Sequence, residues 1–168
     1  MRGIIHQISI SKGGLPKYEI PEAAATPLGI PGDVQKHTRF HGGPARALLI
    51  VSLEDIEKLR GEGYPVVAGS LGENLTVSGI DFRQLRSGQR FNASGALIEL
   101  TTLRAPCSAL DMFNVAPGLR IQDRLYDAQA KAGDPRSPVW AMGGFYAAVV
   151  EPGPLLPGAT IALADQVV

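Results

Sequence analysis

Cysteine is almost absent from this chain. One residue, Cys107, stands in 168. A single cysteine excludes an internal disulfide, so a reducing compartment and a cytoplasmic location are expected. Charge of either sign is not in excess, with 16 Lys and Arg against 16 Asp and Glu. That balance argues against nucleic acid as a partner, because such proteins carry a basic surplus or patch. No apolar run approaches the roughly 20 residues a membrane span needs, so no membrane partner is expected. Met1 to Ile10 alternates polar and apolar residues and lacks the apolar stretch of a secretory signal.

Glycine and proline are abundant instead, at 20 and 13, and they are spread along the whole sequence. Apolar segments lie between them, which reads as tight turns separating short strands. Hydrophobic residues make up 45%, enough for one domain over residues 1–168 with a core of its own. Met1 to Ser11 reads as a first strand, broken by Gly13-Gly14-Leu15-Pro16, and the chain from there to Gly43 reads as irregular. Arg46 to Val51 suits a buried strand. Ser52 followed by Glu54 and Asp55 is a helix start, with Leu53, Ile56 and Leu59 at helical spacing and Gly61 and Gly63 as the stop.

Asn74 to Val77 reads as a strand. Phe91 and Ala96 to Thr102 read as a hairpin across Asn92-Ala93-Ser94-Gly95. A helix is expected from Asn114 or Pro117 to Lys131 and Gly133, then a strand from Phe145 to Val150. Glu151-Pro152-Gly153-Pro154 reads as a turn, and Thr160 to Ala164 as the last strand. Regular strand–helix alternation, which a doubly wound fold requires, is missing. The expected fold is mainly β, a barrel with a few short helices.

Three segments carry chemistry. In Gly32-Asp33-Val34-Gln35-Lys36-His37-Thr38-Arg39-Phe40-His41-Gly42-Gly43-Pro44, His37 and His41 have the i, i+4 spacing of a metal pair. No glutamate separates them and no third ligand follows, so an ordering role for His41 at the Gly42-Gly43 bend is the preferred reading. In Gly69-Ser70-Leu71-Gly72-Glu73-Asn74, a tight loop carries hydrogen-bonding side chains into a strand. In Thr101-Thr102-Leu103-Arg104-Ala105-Pro106-Cys107, Pro106 fixes the backbone before the sulfur and Arg104 favours its thiolate. A soft thiolate suits molybdenum or persulfide sulfur. The competing reading is a cysteine that only fills space in the core.

Together these segments resemble the MOSC domain family, named after the C-terminal domain of molybdenum-cofactor sulfurases. The resemblance rests on Gly13-Gly14-Leu15-Pro16-Lys17, Gly32-Asp33, His41-Gly42-Gly43, Gly72-Glu73-Asn74-Leu75-Thr76-Val77 and Pro106-Cys107, and on Val150 to Leu163 with Gly153 and Gly158. It implies a MOSC-type β-barrel and a molybdenum cofactor (molybdopterin), with Cys107 as the molybdenum ligand or the carrier of a persulfide. Pyridoxal phosphate, which belongs to a separate domain of the large sulfurases, is not expected. The segment Trp140-Ala141-Met142-Gly143-Gly144-Phe145-Tyr146 departs from many relatives in having no arginine closer than Arg136, which would have to replace it.

Cys107 and Arg104 are therefore the candidate catalytic residues. Lys12, Gly13, Gly14, Lys36, Arg39, His41, Gly42, Gly43, Glu73, Asn74 and Thr102 are the candidate cofactor-binding residues, since phosphates want cations and backbone N–H groups. Three functions compete: a molybdenum-cofactor enzyme of the oxidoreductase or cofactor-handling kind, a sulfurtransferase using a Cys107 persulfide, and a cofactor carrier with no turnover of its own. An electron-transfer or sulfur-donor protein is the expected partner, and the chain is expected to be a monomer or homodimer.

Overall fold

In strand β1 (Arg2–Ile10) the alternation of buried and exposed side chains changes phase midway. Gly3 and Ile5 point inward, and then Ile8 does. The cause is a bulge against β5 (Leu75–Ser78): Ile5 pairs with Val77 and Gln7 with Thr76, so His6 is the extra residue. One additional residue moves the side chains that follow to the other face. These relations come from a computed structural model of the chain, in which residues 1–34 and 42–164 are described.

The remaining strands are β2 (Tyr18–Ile20), β3 (Ala23–Ala25), β4 (Leu48–Ser52), β6 (Arg90–Ala93), β7 (Ala96–Leu103), β8 (Phe145–Glu151), β9 (Gly153–Leu155) and β10 (Thr160–Leu163). The main sheet runs β10-β6-β7-β8-β4-β5-β1-β2, and β10 also pairs with β1. That last pairing closes seven strands into a barrel, with β2 hanging on β1. Every pairing is antiparallel except β4 with β5. The fold is mainly β with a few short helices, as expected. Among the described residues no helix is long and apolar enough to cross a membrane.

Strand β4 is buried on both faces, which is why it reads as an unbroken apolar run. Leu48 and Ile50 face the barrel interior with Ile5, Ile8, Val77, Ile98 and Phe145. Leu49 and Val51 face a second cluster outside the barrel, with Leu71, Leu110, Leu125 and Tyr146. Helix α1 (Leu53–Gly61) covers that side with Ile56 and Leu59. Its cap is the expected one: the Ser52 hydroxyl accepts from the Asp55 N–H at 3.2 Å.

Four local expectations are corrected. The hairpin between β6 and β7 turns on Ser94 and Gly95 alone, because Asn92 and Ala93 stay in the ladder. Ser94 takes a left-handed φ of 56° to do so. The stretch after Gly14 is not wholly irregular, for β2 adds to the barrel and β3 pairs with β9. Glu151 to Pro154 is not a turn. Glu151 ends β8 and Gly153 and Pro154 belong to β9, where a two-stranded ribbon tolerates a residue with no N–H. Finally, no long helix spans 114–133. Gly118, at φ 81°, lets Leu119 N–H return to the Ala116 carbonyl, and the helices α2 (Ile121–Leu125) and α3 (Ala128–Lys131) are separate. Tyr126 is extended between them, and Asp127 caps the second.

Gly144 sits where β8 meets the end of the preceding turn, at φ 84°. A methyl group there would overlap the carbonyl oxygen of Ile50 on β4. Gly144→Ala is expected to cost about 3 kcal/mol or more in chemical denaturation, from conformational strain and overlap together. Gly88, also left-handed at φ 87° but with open space around it, is the control: Gly88→Ala costs only about 1 kcal/mol.

Candidate functional site

Asn74 stands just before β5 and behaves as a second peptide group. Its backbone N–H donates to Leu49 O (2.8 Å), and its Oδ1 accepts from Leu49 N–H (3.1 Å). Its backbone carbonyl accepts from Ser9 N–H (2.9 Å), and its Nδ2 donates to Ser9 O (3.2 Å). The same Nδ2 reaches Asp33 Oδ2 at 2.8 Å. Asp33 in turn accepts from Ser11 N–H (2.9 Å) and from Lys17 Nζ. Both members of the Lys17–Asp33 pair are largely withdrawn from water. One buried amide thus joins β1, β4 and the loop after Ile30.

A cavity of about 410 Å³ opens over this network, within the range of small-molecule sites. Its wall includes Ser11, Lys17, Arg46, Asn74, Arg104, Cys107 and Tyr146, together with Leu15, Leu49, Leu71 and Met112. No Asp or Glu is among its described lining residues. Gly13 and Gly14 form part of the rim in left-handed conformations, at φ 109° and 98°. Cys107 is half-buried and stands just before the short 3-10 turn Ser108–Phe113. Its carbonyl accepts from Gln122 Nε2 at 3.2 Å, and the same Nε2 donates to Asp111 Oδ1 at 2.7 Å. Helix α2 therefore clamps the cysteine's backbone.

Arg104 is 5% exposed. Its Nη2 donates to Leu71 O at 2.8 Å, and its backbone N–H donates to Gly144 O at 3.0 Å. Burial pulls its pKa down, opposed by the neighbouring Tyr146 and Cys107 and then by Glu73. Burial pushes the Tyr146 phenol up, against the pull of Arg104 and Arg46. Arg46 lies over the Tyr146 ring, 5.1 Å from its centre, a cation–π contact.

Glu73 lies behind the wall and is fully buried. Its Oε1 accepts from Gly69 N–H (2.6 Å) and Thr76 Oγ1 (3.0 Å), while Oε2 has no partner. It holds the loop 69–72 in place from beneath, and burial pushes its pKa above the ordinary value.

Of the residues singled out from the sequence, Gly13, Gly14, Asn74, Arg104 and Cys107 share the cavity. Glu73 supports it without facing it. Lys12 and Thr102 are exposed and are not on its wall; Lys17 takes the place expected of Lys12. Gly42 and Gly43 precede the 3-10 turn Pro44–Arg46, so they aim Arg46 at the cavity and do not line it. Lys36, His37, Arg39 and His41 lie outside the described residues. Among the described residues no three His, Cys, Asp or Glu side chains gather as a metal site.

Arg136 does not replace the arginine missing from the 140–146 segment. It is exposed and paired with Asp134, and the guanidinium groups over aromatic rings of this segment belong to Arg46, over Tyr146, and Arg86, over Trp140. Tyr146 and Arg46 were not singled out, because a strand tyrosine and an arginine before an apolar run read as ordinary packing. Lys17 and Asp33 stand inside the segments quoted above, but nothing in sequence pairs them.

Two substitutions test this architecture. Asn74→Ala leaves Leu49 N–H and Ser9 O without partners and should cost about 3 kcal/mol in urea denaturation. Glu73→Gln keeps an acceptor for Gly69 and Thr76. Because the folded carboxyl titrates above its ordinary 4.5, the native state holds more protons than the unfolded chain once the pH passes that value. Glu73 thus lowers stability progressively as pH rises, and the advantage of Glu73→Gln over the parent should grow as the pH is raised above 4.5. A pH-independent difference would contradict this.

The MOSC domain model matches residues 37–162, well over half of the sequence. Protein YiiM of Escherichia coli is 33% identical over 94 residues, covering 54% of this chain and 42% of its own length. YflK of Bacillus subtilis, an uncharacterised protein, is 29% identical over 140 residues, covering 80% and 55%. This chain thus spans about half the length of these curated relatives. The crystal structure of YiiM from Geobacillus stearothermophilus superposes with a TM-score of 0.69 at 22% identity, covering 99% of this chain and 76% of that one. The YUAD protein of Bacillus subtilis gives 0.66 at 23%, covering 96% and 94%. The fold is shared with these structures, and by its sequence the chain belongs to the MOSC domain family.

Proposed function

We propose that this protein holds a molybdenum cofactor in the cavity, with the Cys107 thiolate as the protein ligand of the metal, and acts as an oxidoreductase-type or cofactor-handling enzyme. The observation that carries the reading is the placement of the chain's one thiol on a cavity wall that bears Arg46, Arg104 and Lys17 and, among its described lining residues, no carboxylate. The donor set fits the group. A soft sulfur suits molybdenum, and guanidinium groups suit the anionic parts of a phosphorylated pterin.

When bound, the cofactor supplies two-electron redox chemistry at its metal. The chain's own residues do the rest. Arg104 shares the cavity wall with Cys107 and places a positive charge near the sulfur. Gln122 holds the cysteine's carbonyl and so the direction of its side chain. Gly13, Gly14 and Gly72 let main chain approach a flat ring. The reading also assigns Lys36, Arg39 and His41 to the anionic end of the cofactor. It includes a partner that delivers electrons, because one cysteine without a second cannot cycle between dithiol and disulfide within this sequence.

The test is metal and pterin content after anaerobic purification from a molybdenum-supplied host. The parent should carry both, and Cys107→Ser should lose at least roughly nine-tenths of the molybdenum. Absence of molybdenum and pterin from the parent would overturn the proposal. Recovery of one extra, reducible sulfur atom on Cys107 by intact mass would instead favour sulfur transfer. Full cofactor content in Cys107→Ser would favour a carrier.

A further inference from the structure

The chain between β1 and β2 is a hairpin loop, fastened at its base and loose along its span. Ile10 pairs with Tyr18. Ser11 N–H donates to Asp33 Oδ1 at 2.9 Å, and Ser11 O accepts from Val34 N–H at 2.8 Å. At the other end Lys17 N–H donates to Gly69 O at 2.9 Å, and the Lys17 ammonium meets Asp33. Between these anchors, among the described residues, no hydrogen bond joins residues 12–16 to another element. The bond they do make, from Gly13 N–H to Ser11 Oγ at 3.3 Å, stays within the loop.

One side chain holds the span down. Leu15 is partly buried against the cluster outside the barrel. It lies over Gly72, where an added methyl carbon would come within 2.8 Å of its Cδ2. Gly13 and Gly14 stand immediately before it, at φ 109° and 98°, where glycine changes conformation without the steric barrier that other residues meet. Gly13, Gly14 and Leu15 all line the cavity, so the span is one of its walls.

We infer that residues 12–16 form a hinged lid on the cavity: Gly13 and Gly14 are the hinge, Leu15 on Gly72 is the latch, and opening admits to Cys107 molecules too bulky for the closed site. The lid governs entry to the site of the proposed function, and it rests on that reading for the cavity and not for the metal. When closed it keeps water from a bound molecule. A leucine only partly withdrawn from water contributes less than its full burial, so the latch yields while the anchors at Ser11 and Lys17 hold, as segments of low local stability do.

The lid is tested on the full chain without cofactor, by two readouts. Cys107 is the sole thiol, and its thiolate adds to N-ethylmaleimide, which is small, or to N-(1-pyrenyl)maleimide, which is bulky. The ratio of the two rates, bulky over small, cancels the thiolate fraction. It should be lower in the folded parent than in the urea-unfolded chain. Leu15→Ala should raise it roughly tenfold, the effect of losing about half of a leucine's burial, and Leu15→Met should keep the parent value. The second readout is trypsin cleavage, followed by mass at two peptide bonds. Leu15→Ala should speed cutting at Lys12–Gly13 by a similar factor and leave Lys17–Tyr18, at the anchor, intact in the initial phase.

A parent ratio equal to the unfolded one, or a ratio unchanged in Leu15→Ala, overturns the inference. Faster entry without faster cutting at Lys12–Gly13 also overturns it, because the missing side chain has then only left a hole. Cutting at both bonds together does the same, because the hairpin then detaches whole. Should Leu15→Ala not fold, the folded parent decides: Lys12–Gly13 must be cut ahead of Lys17–Tyr18. Failure to find molybdenum leaves these rates untouched, so the two readings fail separately.

Discussion

A β-sheet obliges each strand to satisfy its neighbours' peptide groups, and a cavity at the end of a strand interrupts that pairing. At Asn74 the interruption is healed by a side chain. Its amide repeats on Leu49 and Ser9 the donor and acceptor that a further peptide would offer, so no buried backbone group of either neighbour is abandoned. With both ladders terminated in this way, Ser11, Leu49 and Asn74 can open onto the cavity. Asp33 draws the loop that follows Ile30 onto the same amide, and Lys17 comes with it. The rest of the pocket depends on that junction.

Electrostatics follow from the same geometry. The Lys17–Asp33 pair is internally balanced, which leaves the positive character of the wall to the arginines near Tyr146. Arg104 is held in a dry position by two carbonyl groups, a placement that strengthens its field on whatever shares the cavity. Gln122, itself held by Asp111, fixes the backbone of Cys107. Sulfur and guanidinium are thus oriented by separate elements, α2 and the loop 69–72.

Much of the barrel was legible in the sequence. The unbroken run of β4 and the cap of α1 are local signals, and each fixes its element without help from elsewhere. The junction residue Asn74 was visible as an asparagine before a strand. Its fourfold bonding was not, because that requires β1 and β4 on either side. The phase change at His6 and the β3–β9 ribbon are long-range pairings with no local mark. Gly118 was misread because a helical apolar spacing was followed across a proline and a glycine. Lys12 was favoured over Lys17 for the same reason: adjacency to glycines is readable, whereas a bond to Asp33 is not.

The anchoring of Arg104 has a thermodynamic side. A free arginine surrenders much rotamer freedom when it grips a ligand, and that loss subtracts from affinity. Here the loss has already been incurred in folding, since Leu71 and Gly144 hold the side chain and its backbone before anything arrives. Any group that Arg104 takes from the cavity would therefore meet a side chain already ordered by folding.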